Sequence, residues 1–258
     1  RLLHIPYSYY HINELFKIKE EVELNKDEYL LYTNYFGIMD EYCQLLAEKY
    51  GEHLIVDNAQ ALYAERIDGI NTFYSPRKFV GVPDGGIAFP NNPIEIEMTQ
   101  DCSYNRCTHL LKRHDLDPTE GYKDFRDNSL KIAETPMSEM SNLTKALLSS
   151  VDFDAVKRQR LINFRHLHEC LKDKNPLASA IEQRYECPLV YPFYTADISL
   201  RKKMIAEKIF VAQYWPNVLE WCREGEVEYD LTKHVIPLPI DQRYGVEDMG
   251  RIISNIIN

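Results

Sequence analysis

The residues best suited to chemistry lie in one segment, Asp57–Gly86, which reads DNAQALYAERIDGINTFYSPRKFVGVPDGG. Asp57 ends an apolar run, Gln60 follows three residues later, and Ser75 begins the tetrapeptide that contains Lys78. A lysine whose pKa is lowered by burial attacks carbonyl carbons, and a carboxylate that faces it can pair with a protonated pyridine nitrogen. Pyridoxal 5'-phosphate requires both groups, so this segment indicates a site for an aldehyde cofactor.

Each residue type suggests a role at such a cofactor. The Gln60 amide is suited to the ring's phenolic oxygen or to packing on the ring, and the Ser75 hydroxyl is suited to the phosphate. Two simpler interpretations stay open from the residues alone. Asp57 can be the N-cap of a helix that follows its strand, and Lys78 can be an ordinary exposed lysine of a loop.

The surrounding pattern predicts elements that would bring Asp57 and Lys78 together. An apolar and aromatic run at Glu28–Gly37 is typical of a strand, residues 39–51 have helical spacing, and the run from His53 to Asp57 is typical of a buried strand. Strand, helix and strand at this spacing predict a βαβ unit with parallel strands. Ligands of open α/β sheets bind beyond the carboxyl ends of such strands, which is where Asp57 lies.

The rest of the chain divides in two in this interpretation. Residues 1–151 are predicted to be the remainder of a large cofactor-binding domain, and residues 152–258 a long helix followed by a smaller α/β domain. No element is assigned between Asn91 and Glu134. The remaining predicted elements are a strand at Gly85–Phe89, helices at 138–150 and 151–173, short strands in CPLVYPFYT and HVIPLPI, and helices in SLRKKMIAEKIF and VEDMGRIISNII.

Composition limits the classes of partner. The net charge is −10 with histidine neutral, which disfavours non-specific binding to nucleic acid or to an anionic membrane. The six cysteines include no CxxC pair, and no apolar run is long enough to span a bilayer. We therefore expect a cytoplasmic protein with reduced thiols, no metal site, and no nucleic-acid or membrane partner.

The segments VDNAQALYAE and FYSPRKFVGVPDGGIAF resemble the DegT/StrS-type nucleotide-sugar aminotransferases, a branch of the fold-type I pyridoxal-phosphate enzymes. The resemblance implies a mostly parallel large-domain sheet with helices and a smaller C-terminal α/β domain. It implies Asp57 as partner of the ring nitrogen, Gln60 as ring contact and Lys78 as the catalytic, imine-forming lysine. It further implies a homodimer, a nucleotide-linked keto-sugar as acceptor and glutamate as amino donor, in polysaccharide or glycan biosynthesis.

Departures from the family pattern keep other functions open. Phe73 stands where the family commonly has serine, and Glu134 stands where it has an asparagine that reaches the neighbouring subunit. The family's N-terminal part, which supplies a phosphate-binding turn, is not recognisable in this sequence, so we expect either that it has been removed or is disordered, or that this protein lacks it. The alternatives are a catalytically inactive relative that acts as a binding or assembly protein, and a pyridoxal-phosphate-dependent sugar dehydratase.

Overall fold

The computed structural model describes residues 4–93, 95–116, 119–181 and 184–257. Its larger sheet has the strand order β1-β2-β3-β4. The first three strands are mutually parallel, and β4 runs antiparallel to β3. The mixed α/β class with a mostly parallel sheet is therefore confirmed. The strands are β1 (Leu30–Thr33), β2 (Leu54–Asn58), β3 (Asn71–Tyr74) and β4 (Ile87–Phe89).

The predicted βαβ unit is present. Helix α1 (Asp40–Tyr50) connects β1 to β2, begins with two acidic residues and ends at Gly51. Acidic groups are favourable at a helix N-terminus, and Gly51 adopts a φ of 52°, which side-chain-bearing residues rarely take. The predicted strand at Glu28–Gly37 is shorter than expected, because the chain turns at Phe36 with a φ of 56°.

Two parts of this half differ from the sequence prediction. Strand β3 is absent from that prediction, because its four residues are too few to produce a clear alternation. The unassigned stretch contains two helices, α2 (Thr108–Asp115) and α3 (Tyr122–Glu134), whose exposed faces carry several apolar side chains. These two helices are missed by the sequence analysis, which treats the stretch as polar and mixed.

The remaining predicted elements are found, most of them with shifted ends, whereas the helices Ala178–Ile181, Val218–Trp221 and Val227–His234 are not predicted. Helix α4 begins after Ser141 and α5 after Asp152, and each of these two side chains accepts a hydrogen bond from the backbone three residues on. Strands β5 and β6 form a separate antiparallel pair. The elements are α4 (Asn142–Ser149), α5 (Phe153–Leu171), α6 (Ala178–Ile181), β5 (Val190–Tyr194), α7 (Leu200–Ala206), α8 (Val218–Trp221), α9 (Val227–His234), β6 (Val235–Pro239) and α10 (Val246–Ile257).

One apolar core includes buried residues from both halves of the chain, among them Tyr32 and Val56 of the larger sheet, Leu167 of α5 and Leu238 of β6. The division at residue 151 stays a prediction. Within the described ranges, every helix is either too short or too polar to cross a membrane.

A buried polar network fixes the turn that precedes β4. Asp84 is 3% exposed and accepts hydrogen bonds from the Ser141 backbone N–H at 3.0 Å, the Ser141 hydroxyl at 2.7 Å and the Thr144 hydroxyl at 2.9 Å. The Arg106 guanidinium lies 3.8 Å from the same carboxylate. The network therefore joins the start of α4 to the residue before Gly85, whose φ is 101°.

Replacing Asp84 by Asn tests this network. Burial opposes ionisation of Asp84, but the hydrogen bonds from Ser141, Ser103 and Thr144 outweigh it and hold the carboxyl pKa below its usual value. Such a group stabilises the fold above the unfolded-chain pKa of about 3.9, and that stability is lost as the pH falls. We expect Asp84→Asn to lower the free energy of unfolding by about 3 kcal/mol at neutral pH.

Urea unfolding from roughly pH 6 down to pH 2 measures both effects. The Asp84→Asn variant should also lose less stability on acidification than the wild type. Asp68→Asn, at an exposed position, is the control and should follow the wild-type curve. An unchanged acid-side slope in Asp84→Asn would contradict the account.

Candidate active site

Asp57 lies near the carboxyl end of β2, in register with Thr33 of β1 and Phe73 of β3. One of its oxygens accepts the Ala59 backbone N–H at 2.8 Å, so Asp57 does close the turn that follows its strand. Two opposing effects act on the ionisation of Asp57. Burial raises the carboxyl pKa, and the nearby Lys78 ammonium acts in the opposite direction.

Lys78 ends a short helical turn, Pro76–Lys78, that begins two residues after β3. Its backbone N–H donates to the Ser75 carbonyl at 3.3 Å. Lys78 is exposed overall. Burial of its ammonium nevertheless lowers the lysine pKa, and the negative charge of Asp57 acts in the opposite direction. The Asp57 charge therefore acts on the Lys78 amine, and the role of Lys78 as the imine-forming lysine stays a prediction.

Gln60 has a structural contact that the sequence did not indicate. The side chain is 3% exposed, and its Oε1 accepts the Phe36 backbone N–H at 2.7 Å. At the next residue, Gly37, an added Cβ would lie 2.6 Å from the Gln60 carbonyl oxygen. Gln60 thus holds the turn that follows β1, and its contact with a cofactor ring stays a prediction.

Ser75 precedes the Lys78 turn, and its hydroxyl does not cap the backbone of that turn. Its contact with a phosphate stays a prediction. Glu134 lies exposed at the end of α3, beside a surface depression that Lys131 and Arg106 also line.

Two tyrosines near Asp57 are missed by the sequence analysis. Tyr35 lies directly after the end of β1. Its pKa is raised to about 12, mainly by burial and to a lesser extent by the charges of Glu228 and Asp57. Burial also raises the pKa of Tyr10, with a smaller effect of Asp57, and the Tyr10 hydroxyl donates to the Leu31 carbonyl at 3.0 Å. The clusters YSYYH and YTNYF are the available signal, but tyrosine clusters are equally typical of packing.

The donor set fits pyridoxal phosphate. A half-buried carboxylate is suited to a protonated ring nitrogen, and an amine with a lowered pKa is suited to an aldehyde carbon. Both occur at the ends of adjacent parallel strands, where α/β sheets bind ligands. Asp57 and Lys78 would hold the cofactor at its two ends in this arrangement.

Comparison with known proteins identifies the fold. No family model matches the chain, and a search of curated proteins found no match. Solved structures do match. PseC of Helicobacter pylori, an aminotransferase involved in the biosynthesis of pseudoaminic acid, is 14% identical with a TM-score of 0.54 and is matched over 91% of this chain and 67% of its own.

Two further structures have the same architecture. DesV of S. venezuelae is 16% identical with a TM-score of 0.53, over 89% of this chain and 64% of its own. A DegT DnrJ EryC1 StrS aminotransferase from Brucella abortus is 15% identical with a TM-score of 0.54, over 89% of this chain and 63% of its own. The chain thus has the fold of these aminotransferases and spans about two thirds of their length or slightly less.

The coupling between Asp57 and Lys78 is testable without a ligand. Asp57→Asn keeps the shape of the side chain and an oxygen for the Ala59 N–H, but it removes the charge that raises the Lys78 pKa. We therefore expect the Lys78 pKa to fall further below that of an ordinary lysine. The pH dependence of Lys78 acylation, followed by peptide mass spectrometry, measures it.

The exposed residue Asp27 supplies the control. Asp27→Asn should leave the pH midpoint of Lys78 acylation at the wild-type value. An equal midpoint in wild type and Asp57→Asn would mean that the two side chains do not share a site.

Proposed function

We propose that the chain carries the site of a pyridoxal-phosphate-dependent aminotransferase that acts on a sugar. The observation that carries the proposal is that Asp57 lies near the end of β2 and Lys78 in the turn after the adjacent parallel strand β3. The directions in which their pKa values are shifted agree with this placement. The aminotransferase fold of the chain supports it. When bound, the cofactor supplies an electron-withdrawing ring that stabilises negative charge on the carbon bearing the transferred amino group.

Asp57 would bind the ring nitrogen and keep it protonated. Its carboxylate is anchored by the Ala59 N–H at 2.8 Å. This anchoring fixes the direction of the remaining oxygen lone pairs. Paired with a cation, the carboxyl would stay ionised although burial opposes ionisation.

Lys78 would have two roles. Its amine would hold the aldehyde carbon, which requires the neutral form, and burial favours that form by lowering the pKa. Once released, the same amine would accept a proton from the amino donor's α-carbon as general base and, as general acid, deliver it to the carbon that Lys78 had held. A pKa closer to neutrality than that of a free lysine serves both directions of proton transfer.

Gln60 and Ser75 would support the cofactor from two sides. Ser75 would donate to the phosphate from the start of the Lys78 turn. Gln60 would contact the ring while its Oε1 holds the Phe36 N–H.

The acceptor in this proposal is a nucleotide-linked keto-sugar, and the donor is glutamate. PseC supports the sugar class, since it is described as an aminotransferase of pseudoaminic acid biosynthesis. A homodimer in the cytoplasm, serving polysaccharide or glycan synthesis, completes the proposal. Its large cofactor-binding part would comprise residues 1–151 and its smaller part residues 152–258.

One observation favours a rival function. Phe73 lies beside Asp57 in the sheet register, so an apolar ring replaces the polar group that the resemblance led us to expect there. A non-catalytic relative that keeps the scaffold for binding or assembly would tolerate this change. A sugar dehydratase would also bind the cofactor but would not exchange amino groups with glutamate.

Borohydride reduction in the presence of pyridoxal phosphate tests the proposal. We expect a visible absorption band on cofactor addition, and reduction should fix the cofactor on the Lys78 peptide, where mass spectrometry locates it. Glutamate should bleach the band. Lys78→Ala should abolish the adduct and lower the transamination rate by about 10³-fold, because proton transfer is lost.

Lys123→Ala, at an exposed position, is the matched control and should bind the cofactor like the wild type. A colourless wild-type protein would support the non-catalytic scaffold. A band that glutamate does not bleach would support the dehydratase.

A further inference from the structure

A buried arginine lies beneath the turn that carries Lys78. Phe79 follows Lys78 directly and is 3% exposed. The Arg160 guanidinium carbon lies 4.7 Å from the centre of the Phe79 ring, a distance typical of cation–π stacking. The Phe79 backbone carbonyl accepts the Gln242 side-chain amide at 2.9 Å. Both the ring and the carbonyl of this residue are thus held from outside the turn.

Arg160 and Gln242 are themselves joined. One guanidinium nitrogen of Arg160 donates to Gln242 Oε1 at 3.0 Å, and another donates to the Leu189 carbonyl at 2.6 Å. The Gln242 side chain therefore accepts from Arg160 and donates to Phe79. This chain of contacts connects α5, the residue before β5 and the loop after β6 to the Lys78 turn.

The cost of burying Arg160 is high for a purely structural residue. The side chain is 1% exposed, and among the described residues it forms no ion pair with a carboxylate. Burial lowers its pKa, but an arginine stays protonated at neutral pH in any protein environment. Because an apolar residue of similar volume would often be neutral or more stable here, the arginine is explained better by what it positions.

We propose that Arg160, acting through Phe79 and Gln242, is a positioning residue that holds the turn carrying Lys78 next to the strand end where Asp57 lies. The Arg160 fork fixes the plane of the Phe79 ring and, through Gln242, the Phe79 carbonyl. The helical turn ends at Lys78, the residue before Phe79. The backbone from which the Lys78 side chain extends is therefore held on its C-terminal side. The inference rests on the proposed role of Lys78, but its test does not require the cofactor.

We expect Arg160 to affect Lys78 by positioning the turn that carries it, and not through the arginine charge. Burial and Asp57 are the two influences that move the Lys78 pKa, and Arg160 is not among them. If the Arg160 contacts are removed, the turn should relax toward solvent and the amine should be less buried. The Lys78 pKa should then rise toward the ordinary lysine value of about 10.4.

The test uses Arg160→Met and Arg160→Lys. Methionine keeps length and apolar packing, whereas lysine keeps the charge but cannot stack and donate as a planar fork. We expect both variants to raise the pH midpoint of Lys78 acylation. In the cofactor-loaded protein both should lower kcat by about 10²-fold with a smaller change in KM, because a displaced catalytic group affects the chemical step.

Leu167→Ala is the matched control. Leu167 lies further along α5 and is fully buried, so the variant should unfold at a clearly lower urea concentration than the wild type. Its Lys78 midpoint should stay at the wild-type value. A shift in Leu167→Ala equal to that in Arg160→Met would overturn the proposal, since general loosening would then explain both.

Gln242→Leu covers the case in which the Arg160 variants fail to fold. It removes only the hydrogen bonds to Phe79 and Arg160 at a position that is half-buried. An upward shift of the Lys78 midpoint supports the proposal. A wild-type midpoint in Gln242→Leu, or in Arg160→Lys, would overturn it. A protein that shows these shifts but binds no pyridoxal phosphate would refute the proposed function and leave the positioning role intact.

Discussion

The structure around the candidate site depends on one constraint, the ionisation balance between a carboxylate and an amine that share a partly dry environment. Burial acts against the charged form of both Asp57 and Lys78, and each charge partly restores the other. The opposite charge of each side chain offsets part of the desolvation that the other experiences. Two parallel strands ending side by side supply the geometry that this pairing needs.

Several weaker interactions maintain that geometry. Gln60 holds the turn after β1 through the Phe36 N–H, and Asp84 ties the residues before β4 to the start of α4. Arg160 stacks on the residue that follows Lys78. All three are buried polar groups whose partners come from distant parts of the chain, so loss of any one leaves a donor or acceptor unpaired.

The sequence is informative where local chemistry dominates. The βαβ unit is predictable because an apolar run, a helical stripe and a helix-ending glycine follow one another, and the Asp57–Gly86 segment is recognisable by its residue types. Pairing between segments that are distant in the sequence cannot be predicted in the same way. β3 is too short to show alternation, β4 runs antiparallel to it, and nothing in the sequence around Gln60 indicates that it bonds Phe36. The contacts of Arg160 with Leu189 and Gln242 likewise exist only after folding.

The most direct test of the central claim is the protonation state of the bound cofactor. The ¹⁵N chemical shift of ring-labelled pyridoxal phosphate reports whether its pyridine nitrogen carries a proton. The account predicts a protonated nitrogen at neutral pH in the wild type and an unprotonated one in Asp57→Asn, with the cofactor attached at Lys78 in both. An unprotonated nitrogen in the wild type, or the same shift in both proteins, would contradict it.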